Sequence, residues 1–454
     1  MSFDLSSLFA PAAASQALPI GAVGSVEKPP APTEQKSPPY RFLPPEPRTL
    51  AEAGLSPGEL DGLLLKLLLQ RGTTTGRGAA ETTRLPRTLV AEGFERLRVE
   101  LLVALKGSSG IEDFVFQLTD AGHDRARRLA HHATYADAAP VPLEQYVAAV
   151  HRQSLADSRL DRSNLVAAFS GLRLGDDLLS QVGQAVNDGR GMFLFGPPGN
   201  GKTSISERVV NAYGEYVWIP RMITIDGELV RLYDPRCHKA VPLPKLADLT
   251  YDRRWVLVER PTIVVGGELT MAHLELQHNP TTGVCEAPVQ LRANCGALVV
   301  DDFGRQRAAT SEILNRLIVP MEKQHDYLLL ASGRQAALPF DLLLVFSTNL
   351  EPRDLVDEAF LRRIPYKIEV GGPSETEFVE LFVALARDAA CACPPETIGE
   401  LIARHSRPRQ RPLRYCHPRD LLRQVRNYCQ YRDLPLAVTT ESLDVAVKNY
   451  FAAL

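Results

Sequence analysis

Nine consecutive residues carry the clearest chemistry in the chain: Gly196-Pro197-Pro198-Gly199-Asn200-Gly201-Lys202-Thr203-Ser204. They fit Gly-x-x-x-x-Gly-Lys-Ser/Thr, the pattern of a phosphate-cradling P-loop. Its glycines let the backbone curl so that successive N–H groups point inward at an anion. A helix opening at the end of the loop adds the positive end of its dipole. Lys202 then reaches the outer phosphates of a nucleotide, and the Thr203 hydroxyl is a hard oxygen ligand for Mg²⁺. The flanks agree. Met192-Phe193-Leu194-Phe195 reads as a buried strand leading in, and 204–211 reads as a helix leading out.

A second group lies about 100 residues downstream. Ala297-Leu298-Val299-Val300-Asp301-Asp302 is an apolar strand ending in two carboxylates. That is the other half of a P-loop nucleotide site: Asp301 for the metal, Asp302 to polarise the attacking water. The common form ends Asp-Glu, so Asp302 is one methylene short. A third apolar strand, Leu342-Leu343-Leu344-Val345-Phe346-Ser347-Thr348-Asn349, ends in polar groups. Asn349 is placed to hold the water or the terminal phosphate between the other two elements.

These residues need a sizeable scaffold. At 454 residues the chain holds about three units of ordinary domain size, and 45% hydrophobic residues support a large core. A net charge of -3 excludes bulk electrostatic recruitment of nucleic acid or membrane. The seven cysteines are scattered without zinc spacing, so they read as reduced, buried thiols of a cytoplasmic protein. No signal peptide is read at the N-terminus. The run Leu63-Leu64-Leu65-Lys66-Leu67-Leu68-Leu69 is too short to span a bilayer and reads as a core helix.

Residues 1–48, rich in Ala, Pro and Ser, read as a disordered tail. In 49–135, Ser56-Pro57 caps a helix, 72–78 reads as a Gly/Thr loop, 88–105 as helical, and Phe114-Val115-Phe116-Gln117-Leu118 as a strand before a last helix. This order resembles a winged helix-turn-helix, which implies docking to DNA or to protein. Eleven basic and eleven acidic residues in the segment lack the basic footprint of a DNA reader and favour protein. Residues 136–164 read as a linker. Beyond the P-loop, Tyr216-Val217-Trp218-Ile219 reads as a second strand. Ile223-Thr224-Ile225-Asp226-Gly227-Glu228-Leu229-Val230 reads as a hairpin, and 255–290 as further inserted hairpins.

The P-loop, the strand ending Asp301-Asp302 and the strand ending at Asn349 together resemble the AAA+ ATPases, over about 165–450. That resemblance implies an α/β fold: a P-loop three-layer αβα large domain at 165–370 with β-hairpin insertions, and a small helical lid at 371–454. It implies ATP and Mg²⁺ as cofactors. It makes Asn349 the sensor-1 residue. Asp357-Glu358-Ala359-Phe360-Leu361-Arg362-Arg363-Ile364 resembles the arginine-finger segment, in which either Arg362 or Arg363 crosses to a neighbour's site. Tyr415-Cys416-His417-Pro418-Arg419-Asp420 resembles the sensor-2 segment and puts Arg419 near the terminal phosphate. The nearby Arg407, Arg409, Arg411 and Arg414 read as a solvated basic face.

Ala293-Asn294-Cys295-Gly296 before the acidic strand, and a strand–turn–strand at 326–335, resemble the MoxR-like, pre-sensor-1 hairpin group. A trans-acting arginine implies a ring of identical subunits, a hexamer in this family. The first functional expectation is an ATP-hydrolysing, chaperone-like motor that remodels a protein partner. The second is a DNA-linked ATPase that uses the winged helix. The third is a non-hydrolysing, ATP-dependent assembly scaffold.

Overall fold

The computed structural model describes residues 40–108, 113–157, 159–242 and 249–451. Most of the tail expected at 1–48, and the tip of the 106–113 hairpin, lie outside the described residues. The end of that tail, 40–48, is packed. Tyr40 meets Trp218 edge-on at 6.1 Å, and Phe42 meets Trp255 at 5.7 Å. Two aromatic rings within a proline-rich stretch bury enough apolar area to be held.

A five-stranded sheet, all parallel, lies at the centre. Its strands in chain order are β1 (Gly191–Phe195), β2 (Thr262–Val265), β3 (Gly296–Val300), β4 (Leu342–Thr348) and β5 (Tyr366–Glu369). Across the sheet they run β2-β3-β4-β1-β5. Nearly every position is apolar, as a sheet covered on both faces requires. Met192, Leu194, Ala297, Val299, Leu343 and Val345 face one core, beneath the helix Asp176–Asp188 and helix α1 (Lys202–Arg208). Phe193, Leu298, Val300, Leu344 and Phe346 face the other, beneath the helix Thr310–Lys323. This is the three-layer α/β arrangement expected.

Tyr216–Pro220 is a strand, as read, and it lies outside that sheet. It pairs antiparallel with Trp255–Glu259 outside it, and Thr262–Val265 takes the place beside β3. Both stretches are short and apolar, so local pattern cannot separate them. Residues 214–261 are therefore an excursion between α1 and β2. Within it Met222–Ile225 and Glu228–Arg231 form the expected hairpin. Asp226 and Gly227 turn it with φ of 49° and 85°, the left-handed pair of a tight hairpin turn. The hairpin joins a second five-stranded sheet with Gln277–Asn279, Val284–Glu286 and Val141–Pro142. The stretch read as a linker thus supplies a strand, and then the helix Leu143–Arg152, whose Tyr146 and Val150 are buried against the excursion. A further hairpin, His325–Leu329 with Gln335–Pro339, immediately precedes β4.

The N-terminal unit holds the helices Pro57–Arg71, Gly76–Thr83, Arg87–Val99 and Asp120–His132. Its three antiparallel strands lie in the order Thr73–Thr75, Phe114–Leu118, Val103–Ser108. Thr73–Thr75 is a strand where a loop was expected, because three β-branched residues supply an edge to Phe114–Leu118. The helix expected over 88–105 ends at Val99, and Val103–Ser108 is strand. Arg254 ties this unit to the excursion. Its buried guanidinium pairs with buried Asp252 at 2.7 Å and donates to the carbonyls of Ala53 at 2.7 Å and Pro140 at 2.9 Å.

The C-terminal lid has its own core, built from Glu375–Asp388, Pro395–Leu401, helix α2 (His417–Arg432) and Thr440–Tyr450. No described helix is long and apolar enough to cross a membrane.

Candidate nucleotide site

Parallel strands end on the same side of a sheet, which is where open α/β sheets bind ligands. The register sets the spacing here. Phe195 lies opposite Thr348 on β4, and Val300 lies opposite Phe346. The loop after β1, the two carboxylates after β3 and the amide after β4 therefore emerge side by side.

The side chains complete the convergence. Lys202 Nζ donates to the carbonyls of Gly196 at 2.8 Å and Pro197 at 3.0 Å, and to Asn349 Oδ1 at 2.8 Å. Asn349 Nδ2 in turn donates to Asp302 Oδ1 at 3.1 Å. The Thr203 hydroxyl donates to Asp301 Oδ2 at 2.9 Å. One amide thus touches both the loop lysine and the second carboxylate, and the two hard-oxygen groups lie against each other. Burial holds the Lys202 ammonium below the ordinary lysine value. The charges of Asp301 and Asp302 oppose that shift, and the charge of Arg414 adds to it.

Asp302 has φ of 48°, the left-handed region that non-glycine residues rarely adopt. Gln306 braces this turn. Its Nε2 donates to the carbonyls of Asp301 at 2.9 Å and Asp302 at 3.2 Å, and its Oε1 accepts from the Gly304 N–H at 2.8 Å. The Phe303 N–H donates to the Ser347 carbonyl, and the Thr348 hydroxyl donates to the Phe303 carbonyl. Sequence reading missed Gln306. Its only signal was a side-chain amide four residues past a paired carboxylate.

The lid closes the other side. The Cys416 N–H donates to the Gly199 carbonyl at 3.0 Å. Gly199 has φ of 84°, and a Cβ there would lie 2.5 Å from Cys416 Sγ, so the position needs glycine for both conformation and space. The same Cβ would lie 3.6 Å from Cδ of Arg414. Arg414, read in the sequence as part of a solvated run, is thus beside the P-loop. Between lid and sheet lies a cleft of about 1020 Å³. Pro198, Gly199, Asn200, Gly201, Lys202, Thr203 and Ser204 line it with Asp301, Asp302, Asn349 and Arg419. Arg419 is exposed, 3.7 Å from Asp420. Asn200 and Ser347 also line the cleft, and their Oδ1 and Oγ atoms are buried with no hydrogen-bond partner among the described residues.

Arg362 and Arg363 are not brought to this cleft. They end the short helix Glu358–Arg363, exposed, with Arg363 Nε 3.5 Å from Glu322.

A family model described as a domain of unknown function (DUF8689) matches residues 374–449, the lid. No curated protein matches the chain. Among solved structures, the Thermotoga maritima RuvB Holliday junction branch migration motor is similar at 14% identity, covering 61% of this chain and 70% of its own, with a TM-score of 0.35. A mutant form of the same RuvB is similar at 15% identity over 65% and 72%, with a TM-score of 0.35. NtrX from Brucella abortus in complex with ATP is similar at 14% identity over 61% and 57%, with a TM-score of 0.37.

Proposed function

We propose that this chain binds ATP with Mg²⁺ and hydrolyses it, as an oligomeric AAA+-type motor that remodels a protein partner. The observation that carries this reading is the Lys202–Asn349–Asp302 chain of contacts beside the Thr203–Asp301 pair, on one wall of a cleft capped by the lid. The loop N–H groups and Lys202 would take the phosphates, and Thr203 and Asp301 would hold Mg²⁺, which supplies neutralisation of phosphate charge. Asp302, aligned by Asn349, would draw the proton from the attacking water. Arg419 and Arg414 would meet the phosphates from the lid side. Arg362 or Arg363, exposed and outside its own cleft, would serve a neighbouring subunit.

Steady-state ATPase assays test the reading. Turnover abolished by Lys202→Ala supports it and excludes a non-hydrolysing scaffold. Activity per subunit should rise with protein concentration and fall in Arg362→Ala or Arg363→Ala. A rate indifferent to concentration and to both arginines would count against the ring.

The reading of 49–135 as a winged helix is supported by the run helix–strand–helix–helix–strand–strand from Pro57 to Leu118, which lies between a short first helix and a last one. A protein partner suits it better than DNA. The helix Arg87–Val99 exposes Glu92 and Glu95, with Glu100 just beyond. Its Arg98 is paired with Glu95 at 2.6 Å, and Arg96 with Asp61 at 2.7 Å. Exposed carboxylates on that face oppose a phosphate backbone. Salt-sensitive DNA binding lost on deleting 49–135 would reverse that preference.

A further inference from the structure

A second cavity, of about 610 Å³, lies between the N-terminal unit and the inserted sheet, away from the nucleotide cleft. One wall is the helix Pro57–Arg71, with Leu60, Leu63 and Lys66. The other is the excursion hairpin and its neighbours, with Leu229, His278 and Cys285. Its size falls within the range of small-molecule sites, and junctions between folding units are where such sites concentrate.

The charges on its walls are unequally satisfied. Glu59 is spent on the helix cap, accepting from Ser56 N and Oγ at 2.7 Å each. Glu228 accepts from the N–H groups of Ala331 at 2.9 Å and Ser332 at 2.8 Å, in the turn of the hairpin before β4. The Cys285 thiol sits 3.5 Å from His278 Nδ1, and burial pushes it up to about 11, so it stays neutral and offers no anion. Lys66 has no ion-pair or hydrogen-bond partner among the described residues. Burial alone lowers its pKa, with no neighbouring carboxylate restoring it. An ammonium half withdrawn from water, on a wall whose two carboxylates are engaged elsewhere, is a costly arrangement that an anion would relieve.

We propose that this cavity binds a small amphipathic carboxylate, its head on the Lys66 ammonium and its aliphatic body among Leu60, Leu63 and Leu229. The site is independent of the nucleotide reading.

Isothermal titration of the full-length chain with decanoate and with decanol, both below their aggregation limits, tests it. The expected result is one saturable site that prefers decanoate over decanol by about tenfold or more, the scale of one charge-assisted contact. Lys66→Met should bring decanoate down to the level of decanol, and Lys66→Arg should keep the preference. Leu229→Trp, which fills the cavity, should weaken both ligands. Equal binding of the two by the unmodified protein would overturn the proposal, as would decanoate binding that survives Lys66→Met. The first comparison needs no variant, so a folding defect cannot blur it.

Discussion

On the proposed reading Asp302 takes the place in which related sites commonly carry a glutamate, one methylene longer. Its left-handed turn, braced by Gln306, and its contact with Asn349 aim the shorter carboxylate into the cleft. Asp302→Asn should cut turnover by about 100-fold or more, the scale of a lost general base. Gln306→Ala should cut kcat by about tenfold with little change in KM, because it positions a group that acts in the transition state alone. A purely structural Gln306 would instead lower thermal stability with kcat intact. Lys202 supplies a pH test. Its pKa lies below the ordinary lysine value of 10.5, and phosphate binding requires the charged form. Nucleotide affinity should therefore fall as pH rises, and begin to fall earlier than an ordinary lysine would predict. Fluorescent-nucleotide titration from neutral to alkaline pH reads this directly, and Lys202→Arg should flatten the profile.

The lid helix α2 carries its own titration. His417 is buried between Tyr450 and Phe451, and burial lowers its pKa to about 4, assisted by the charge of Arg414. An unfolded imidazole titrates near 6.5, so the folded lid binds fewer protons than the unfolded one in between. The lid's stability should be intact above about pH 6.5 and decline as pH falls toward 4. Thermal melts across that window should show the slope, and His417→Phe should remove it.

Elements of this kind were partly legible in the sequence. The apolar strands ending at Asp301, Asp302 and Asn349 could be read because a buried run that breaks off at polar side chains marks a strand end in the sequence itself. The Asp226-Gly227 hairpin was legible because only a few residues tolerate that turn. Tyr216–Pro220 and Thr262–Val265 were not separable, since both are short apolar runs and long-range pairing alone decides between them. Gln306 and Arg414 reach the site through a turn and a lid contact that no local pattern encodes.

At the scale of the whole molecule, the N-terminal unit is fastened rather than tethered. Arg254 is 1% exposed, and its guanidinium joins Asp252 to the carbonyls of Ala53 and Pro140. Arg254→Met leaves the Asp252 charge buried and unpaired, and should cost about 3–5 kcal/mol in chemical denaturation. Limited proteolysis should then cleave around 136–142 faster than in the unmodified protein. The strand that Arg254 neighbours, Trp255–Glu259, pairs with Tyr216–Pro220, which follows the helical run from Lys202 to Tyr213 after only Gly214 and Glu215. Force applied to the first module has a short mechanical path, through one planar cation and one two-stranded ribbon, to the base of the P-loop helix. On the proposed reading, strain in that ribbon would couple partner binding at the N-terminal unit to nucleotide binding at the other end of the helical run.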